Sequence, residues 1–491
     1  MPFRSLGSYE KKLLSQYMDG SRNGIVFSAK FSAIWDETSD DATLFTVGEC
    51  CMLKSVISKA LKKLIAEHIE LYTTINEKLY FTPIKVIKPD DVIEMITIGH
   101  QKDAFVHCHL DPPPYVVSHI FNKFDFKIGC GKPLWKLYIV NESILIFHGH
   151  DVLFDIFSAA TFINLFMKAL HSASNSPNKI DYLFKFDERK SNCNYPRSIY
   201  ENPKLHLPSM ATDLLNLQTQ SFLKNLYNNT IKKPIGLFAP HQKLQVTEFK
   251  LPYPDIINGV CSLYGTTVIK VIGTERFKHL NIILKQENIC FRSFICSIAM
   301  LCLKPLIRNF NGNIIFSIPI NLRPFIDDSS DLGLFYKNIR VVCPLSLVND
   351  DINKNSGADS KGNKITLEDQ FKNITKYVSN ILNQRRKTWL KFGFNDDDIK
   401  RMKNEKKETS FNSKIIQIND ITDIIFDMNK GNHSPFSISN LNFTKSLASN
   451  DFMSISYLYS PTNGLDTCIH YTDGYDMESF VECFQSFIEN K

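Results

Sequence analysis

One segment decides how this chain can be interpreted: Phe147-His148-Gly149-His150-Asp151-Val152-Leu153-Phe154-Asp155-Ile156-Phe157-Ser158-Ala159. It carries two histidines and two aspartates within eight residues, between an apolar strand-like run and an apolar helical pattern. Such a polar cluster at a strand end is a candidate functional site. The alternative interpretation needs no site: Asp155 or Ser158 is a helix N-cap, and His148 and His150 are hydrogen-bonded polar residues at a strand edge.

The sequence on both sides of this segment predicts its local structure. Apolar runs at 133–140 and 143–147 indicate two strands, with Asn141-Glu142 as the turn between them. Apolar residues spaced by three and four predict a helix from Ser158 to about Leu170. The same patterns predict further elements: a helix within 43–75 that ends near 69–71, a helix over 290–303 and a strand over 314–318.

Length and composition predict a globular α/β protein with two lobes. A chain of 491 residues is too long for one ordinary hydrophobic core. The composition turns to Ser, Asn, Pro and Lys between 172 and 204, and a new strand-rich region begins at 246–249, so the change of lobe falls between them. We therefore predict an N-terminal lobe over 1–200, a linker over 201–239 and a C-terminal lobe over 240–491.

The segment resembles the H-H-x-x-x-D-G-x-S motif of the superfamily that contains chloramphenicol acetyltransferase, the plant BAHD enzymes and the fungal alcohol O-acetyltransferases. Asp155 and Ser158 stand in the D-G-x-S places. Five more stretches resemble the fungal branch in the right order along the chain, at 66–72, 132–135, 319–323, 437–441 and 452–457. The resemblance covers nearly the whole chain and rests on the order of the motifs more than on any one of them.

The resemblance implies two chloramphenicol-acetyltransferase-like lobes, each a mixed sheet packed with helices, with a substrate tunnel between them. It implies acetyl transfer from acetyl-CoA, as co-substrate, to the hydroxyl of a small alcohol. In the family a histidine acts as general base on that hydroxyl, which suits an imidazole because its pKa lies near neutrality. The motif aspartate faces away from the substrate and pairs with an arginine, so Asp155 is expected to pair with Arg323.

The motif is altered at the position of the base. Four residues before Asp155 stands Asp151 rather than histidine, His150 precedes it, and Ile156 replaces the motif's glycine. An ordinary carboxylate is a weaker base than imidazole by about 2.5 pKa units. Three hypotheses follow: a one-residue shift makes His150 the base, Asp151 itself serves, or the site no longer catalyses. In an extended strand His148 and His150 point to one side and Asp151 to the other, which allows the shift.

Two rival functions stay open at this stage. One is N-acetylation of a sphingoid-like amine, because an unprotonated amine depends less on a strong base than an alcohol does. The other is a non-catalytic relative that binds CoA esters or lipids and acts as a sensor or partner.

Charge and cysteine usage narrow the partners and the compartment. The net charge of +6 is small for this length and its basic residues are dispersed, so we expect no nucleic-acid partner. The excess of basic residues would suit a polyanionic ligand such as coenzyme A, or it serves solubility alone. Twelve cysteines without a C-x-x-C pair indicate free thiols in a reducing, cytoplasmic compartment. We expect no metal ion: the stretch 107–109 (His-Cys-His) is explained by alternation along a strand, and no third and fourth ligands stand at a recognisable spacing from it.

The N-terminal stretch 8–18 has an apolar side next to two lysines. This pattern predicts either weak peripheral contact with an ER or lipid-droplet surface or plain packing of a helix on its lobe.

Overall fold

The structure is a computed structural model of the whole chain. It describes residues 3–20, 24–33, 54–97, 112, 114–123, 125–172, 180–188, 195–198, 264–272, 274–287, 289–306, 312–325, 331–348, 366–392, 415–424, 426, 436–447, 451–460, 464–472 and 477–489.

Helices and strands alternate through both halves of the described chain. The helices are α1 Ser8–Met18, α2 Lys54–Glu67, α3 Pro89–Val92, α4 Pro114–Lys123, α5 Ile156–His171, α6 Thr274–Gln286, α7 Phe291–Cys302, α8 Leu367–Phe392 and α9 Met477–Glu489. The strands are β1 Arg4–Ser5, β2 Ile25–Ala33, β3 Thr73–Ile75, β4 Tyr80–Pro83, β5 Val86–Ile87, β6 Ile93–Ile96, β7 Trp135–Val140, β8 Ile144–Gly149, β9 Phe184–Lys185, β10 Tyr264–Ile272, β11 Asn313–Asn321, β12 Tyr336–Pro344, β13 Ile415–Asp420, β14 Phe436–Lys445, β15 Asp451–Ser460 and β16 Gly464–Thr472.

The first lobe is built on a five-stranded mixed sheet with the order β14-β2-β8-β7-β6. Its pairs are antiparallel except for β6 with β7, which run parallel. Helices α2 and α5 pack together beside this sheet and bury their apolar sides in one core. Phe27, Phe147 and Phe162 lie in that core and contact it from β2, β8 and α5.

The second lobe is built on a six-stranded mixed sheet with the order β10-β16-β15-β13-β11-β12. Strand β13 runs parallel to both of its neighbours, and the other pairs are antiparallel. Residues of α7, α8 and α9 form a separate core with the alternate side chains of this sheet. The two-lobed mixed α/β architecture predicted from the sequence is therefore confirmed.

One strand from the second half of the chain belongs to the sheet of the first. β14 lies at the edge of the five-stranded sheet, where it pairs antiparallel with β2 from Phe436↔Ala33 to Lys445↔Ile25. A strand from within 240–491 thus completes the N-terminal sheet. The linker predicted at 201–239 lies outside the described residues, so the boundary between the lobes stays a prediction.

The local predictions around the motif are confirmed. β7 and β8 occupy the two predicted strands, and Asn141 and Glu142 form the turn with positive φ angles of 46° and 58°. α5 and α7 occupy the helices predicted at 158–170 and 290–303, and β11 contains the predicted strand at 314–318. α2 is the helix predicted within 43–75, and the start of that range lies outside the described residues. The helix ends at Glu67 and not near 69–71, because His68 has an extended backbone and a separate 3-10 helix follows at Ile69–Tyr72.

Helix α1 packs on its lobe. Leu13, Leu14 and Tyr17 are buried in the first core, and Met18 alone of the predicted apolar side is exposed. The apolar surface that a membrane would contact is therefore mostly covered, as the packing interpretation expects. Among the described helices, none is both long and apolar enough to span a bilayer. The stretch 107–109 lies outside the described residues.

Candidate active site

Strand pairing places the altered motif at the end of β8. Phe147 pairs with Leu137 of β7, and the backbone N–H of His150 donates to Leu134 O at 2.9 Å, which extends the pairing by one residue. The chain then turns, because the N–H groups of Leu153 and Phe154 both donate to His150 O at 3.0 Å. α5 begins directly afterwards at Ile156. The motif is thus a short buried connection between a central strand and a helix.

Asp155 is the N-cap of α5. Its Oδ1 accepts hydrogen bonds from the backbone N–H of Ser158 at 2.6 Å and from Ser158 Oγ at 2.9 Å. These contacts satisfy a backbone donor that the first turn of a helix otherwise leaves without a partner. The capping interpretation of Asp155 is therefore confirmed.

Asp155 also forms the predicted ion pair with Arg323 of the second lobe. Arg323 Nη1 donates to Oδ2 at 3.0 Å and Nη2 donates to Oδ1 at 3.1 Å. The backbone N–H of Phe335 donates to the same carboxylate at 2.8 Å, and Arg323 Nη2 also donates to Gly333 O at 2.9 Å. One buried carboxylate thus connects the start of α5 to the residue before β12, and its partners are Arg323 and the Phe335 N–H and not the two imidazoles. We call the Asp155–Arg323 pair the brace.

Both histidine side chains lie in an aromatic cluster formed by Tyr17, Phe121, Phe126 and Tyr138. The His148 ring lies 4.6 Å from the Phe126 ring, and the His150 ring lies 5.5 Å from it. The ring of Tyr17 of α1 lies 4.3 Å from the His150 ring between centroids, at an interplanar angle of 50°. Because both imidazoles contact Phe126, they lie on the same side, as strand alternation predicts.

The hydrogen bond to His150 decides which of its nitrogens carries the proton. The backbone N–H of Val152 donates to His150 Nδ1 at 3.0 Å, so Nδ1 is the acceptor. In a neutral imidazole the other nitrogen then carries the hydrogen. His150 Nε2 is therefore an N–H donor. It is buried and has no hydrogen-bond partner within the described part of the chain.

Burial also makes His150 a weak base. The side chain is only 1% exposed, and removal from water lowers the pKa of His150 to about 4, although the nearby Asp151 and Asp125 oppose this shift. A base with this pKa has no advantage over an ordinary carboxylate. Both the tautomer and the pKa disfavour His150 as the general base, and they favour a role as a hydrogen-bond donor.

Asp151, which stands where the motif resemblance puts a histidine, is buried at the start of the turn. It stands four residues before Asp155, so the motif spacing is kept while the residue type is changed. The structure therefore contains the aspartate–arginine pair that the resemblance implies. Four residues before Asp155 it has a carboxylate and not an imidazole.

A close backbone crossing lies beside His148. Gly24 has a φ of 98°, and a Cβ atom built there would lie 2.4 Å from Gly149 O and 3.2 Å from His148 Nε2. The same glycine exchanges two hydrogen bonds with Ser446, from Gly24 N to Ser446 Oγ at 3.0 Å and from Ser446 N to Gly24 O at 2.9 Å. The end of β14 is therefore attached directly beside the histidine segment, and only glycine fits at this point.

The arrangement offers no metal site in the part of the chain that the structure describes. No group of three or more His, Cys, Asp or Glu side chains is placed there to bind a metal ion.

Sequence reasoning missed the residues that surround the histidines. Phe126 carries no local signal of its role, because it lies after the end of α4 and reaches His148 and His150 only through the fold. Tyr17 belongs to the apolar side of α1, a pattern that identifies a packed helix but not its neighbours. The hydroxyl of Tyr17 contacts the Asp125 carboxylate and the Phe126 backbone N–H, which ties α1 to the site.

Comparison with known proteins gives one close relative and several distant structural neighbours. No family model matches the chain. Over an alignment of 519 positions it is 44% identical to PSTB2-interacting protein 1 of Saccharomyces cerevisiae, and the alignment covers 99% of each protein.

The solved structures share the fold at low sequence identity. Trichothecene 15-O-acetyltransferase from Fusarium sporotrichioides aligns with a TM-score of 0.60 and 11% identity over 99% of this chain and 94% of that one. The first condensation domain of the calcium-dependent antibiotic synthetase, with a substrate analogue, aligns with a TM-score of 0.55 and 12% identity over 99% and 95%. The condensation domain of the Monacolin K polyketide synthase MokA gives 0.53 and 10% over 99% and 96%. The chain therefore has the two-lobed chloramphenicol-acetyltransferase-like fold, as the motif order implies.

Proposed function

Because the chain belongs to the family of the yeast PSTB2-interacting protein 1, we propose that it is a partner-binding protein that binds a PSTB2-like protein. The observation that carries this proposal is 44% identity over 99% of both chains. The alignment itself extends over both lobes. In this proposal the acyltransferase fold serves as a scaffold for binding.

The candidate site supports a binding function over His-dependent catalysis. A general base must present an unprotonated nitrogen to the acceptor hydroxyl. In His150 the acceptor nitrogen is occupied by the Val152 N–H, and the remaining nitrogen carries a hydrogen. What this loop retains is its brace: the Asp155–Arg323 pair stabilises the junction of the lobes whether or not the site is catalytic.

Acetyl transfer is the second candidate, because a buried carboxylate, Asp151, keeps the spacing of the family motif. In this reaction the acceptor attacks the thioester carbonyl of acetyl-CoA, the carbon–sulfur bond breaks, and the acceptor's proton passes through Asp151 to the departing CoA thiolate. The products are an acetate ester and CoA. A small alcohol is the acceptor that the family resemblance implies. An amine such as a sphingoid-like base needs less help from a base, which suits a carboxylate in this position.

Two measurements on the purified full chain separate these functions. Co-purification with a tagged PSTB2-like protein from the same organism tests binding, and release of CoA from acetyl-CoA with primary alcohols and amines tests catalysis. We expect a stable complex and no CoA release above a heat-denatured control. Failure to form the complex would remove the first proposal. CoA release by the wild type that disappears in Asp151→Asn would establish the second.

The CoA measurement is repeated with the complex, because a partner can complete or activate a site. CoA release that occurs only in the complex would show that the chain is both a partner-binding protein and an acetyltransferase. A reaction product containing the acetyl group identifies the acceptor class.

A further inference from the structure

The last residue of strand β14, Lys445, is a buried lysine. Alternation along this strand places Leu441, Phe443 and Lys445 on one face, and the first two lie in the core of the first lobe. Lys445 is only 4% exposed and pairs across the sheet with Ile25. A charged side chain therefore occupies a position where the strand pattern calls for an apolar one.

The ammonium group has few partners. Lys445 Nζ donates to the hydroxyl of Tyr336 at 3.2 Å and lies 4.8 Å from the centroid of the same ring. The Tyr336 hydroxyl is in turn 2.8 Å from the hydroxyl of Tyr9. These are the polar contacts of Lys445 in the described part of the chain, and no ion pair with Asp or Glu is among them. An ammonium has three hydrogens to donate, and this arrangement uses one.

A buried charge without an opposite charge is costly. A cation taken out of water loses hydration that one neutral hydroxyl and one aromatic face replace only in part. An anionic ligand would supply the missing charge and accept the remaining hydrogens. The Tyr336 and Tyr9 hydroxyls already bond each other and lie beside the ammonium as polar neighbours. The remaining hydrogens of the ammonium are the ones that an oxygen acceptor would take.

We propose that Lys445, Tyr336 and Tyr9 form a binding site for a small monoanionic carboxylate at the junction of β14, β12 and α1. Tyr9 is only partly buried, so the chain of hydroxyls leads from the protein surface to the ammonium. One carboxylate carries one negative charge, which the single ammonium neutralises. A phosphate dianion would leave one buried negative charge, because the Lys445 ammonium neutralises only one.

The site is separate from the motif histidines. Lys445 lies on the sheet face of the first core, whereas His148, one row away on β8, faces Phe121 and Tyr138 on the other side. The carboxylate site therefore does not rest on the proposed function.

The test is thermal unfolding of the full-length protein with octanoate as the probe, at constant ionic strength. Octanol serves as the uncharged probe of equal length, and inorganic phosphate serves as the alternative anion. The variants are Lys445→Met, which keeps the shape of the side chain and removes its charge, and Lys11→Met, which makes the same charge change on the exposed side of α1.

We expect octanoate to raise the Tm of the wild type and of Lys11→Met in a concentration-dependent way, and octanol and phosphate to leave it unchanged. In Lys445→Met the apparent affinity for octanoate should fall at least about tenfold. Without any probe this variant should unfold at the same or a higher temperature than the wild type, because an uncompensated buried charge is gone.

Three results would overturn the proposal. They are equal octanoate affinity in Lys445→Met and wild type, equal stabilisation by octanol, and stabilisation by phosphate above that by octanoate. If Lys445→Met does not fold, Tyr336→Phe replaces it, and undiminished octanoate binding in that variant counts against the site.

Discussion

Asp155 in the first lobe and Arg323 in the second are joined by two parallel hydrogen bonds of 3.0 and 3.1 Å. Both side chains are largely buried, with 1% and 12% of their side-chain surface exposed. The carboxylate also caps α5, so one residue holds the helix start and the lobe contact together. The aspartate–arginine contact that the motif resemblance implies is thus present, and it connects the two lobes.

Asp155→Asn should destabilise the protein strongly. The substitution leaves the Arg323 guanidinium buried without its charge partner and weakens the helix cap, so we expect a loss of about 3 to 5 kcal/mol in the free energy of unfolding. Urea unfolding measures it. The matched control is Asp90→Asn, which removes the exposed ion pair with Lys54 and should leave stability unchanged. Equal effects of the two substitutions would show that the brace contributes nothing.

Gly24→Ala should also be destabilising, for a steric reason. The new Cβ would overlap Gly149 O, and alanine would have to adopt a φ of 98°. Left-handed strain costs about 1 to 2 kcal/mol and the overlap adds about 1 to 3 kcal/mol. Gly131→Ala is the control, because Gly131 also has a positive φ, 66°, but no atom within 4 Å of the added Cβ. We expect the Tm of Gly24→Ala to be lower than that of Gly131→Ala. The opposite order would contradict the close contact between Gly24 and Gly149.

His150 should make stability depend on pH in mildly acidic solution. Its pKa is about 4 in the folded protein, against about 6.5 in the unfolded chain, so the unfolded state takes up the proton first. Stability is therefore highest above pH 6.5 and falls as the pH falls toward 4. Between pH 7.5 and 5 the loss from this one group is about 2 kcal/mol.

A comparison of the wild type with His150→Gln isolates the contribution of His150 to the pH dependence of stability, since glutamine does not titrate. Urea unfolding at the two pH values should show a smaller loss for the variant. The same loss in both proteins would show that His150 is not the buried neutral imidazole described above.

Asp151→His tests what the site lacks for acetyl transfer. The substitution places a histidine four residues before Asp155 and restores the family spacing. We expect CoA release from acetyl-CoA, with primary alcohols as acceptors, to rise about 10²-fold or more above the background rate measured with the wild type, because a positioned base contributes about 10² to 10⁴. Adding Asp155→Asn should abolish the gain. If Asp151→His folds and releases no more CoA than the wild type, a feature other than the base prevents catalysis.

Much of the fold around the motif follows from local patterns in the sequence. Alternation identifies β7 and β8, and the three-and-four spacing identifies α5, because these patterns depend only on which side of one element is buried. The motif resemblance also identifies the Asp155–Arg323 contact, across 168 positions of the chain. Local patterns do not reveal that β14 completes the sheet of the other lobe, since no pattern in one strand specifies its neighbour.

The sequence by itself determined the elements, the position of the candidate site between β8 and α5, and the residue that stands in place of the base. The tertiary structure decided the chemistry of that site. His150 is a donor because the turn aims the Val152 N–H at Nδ1, and its pKa falls because Tyr17 and Phe126 help exclude water from it. Nothing in the sequence around Lys445 distinguishes it from an exposed lysine. The pairing of β14 with β2 is what buries its charge beside a neutral hydroxyl. Protonation and electrostatic energy depend on surroundings that the fold brings together from distant parts of the chain, so local patterns cannot encode them.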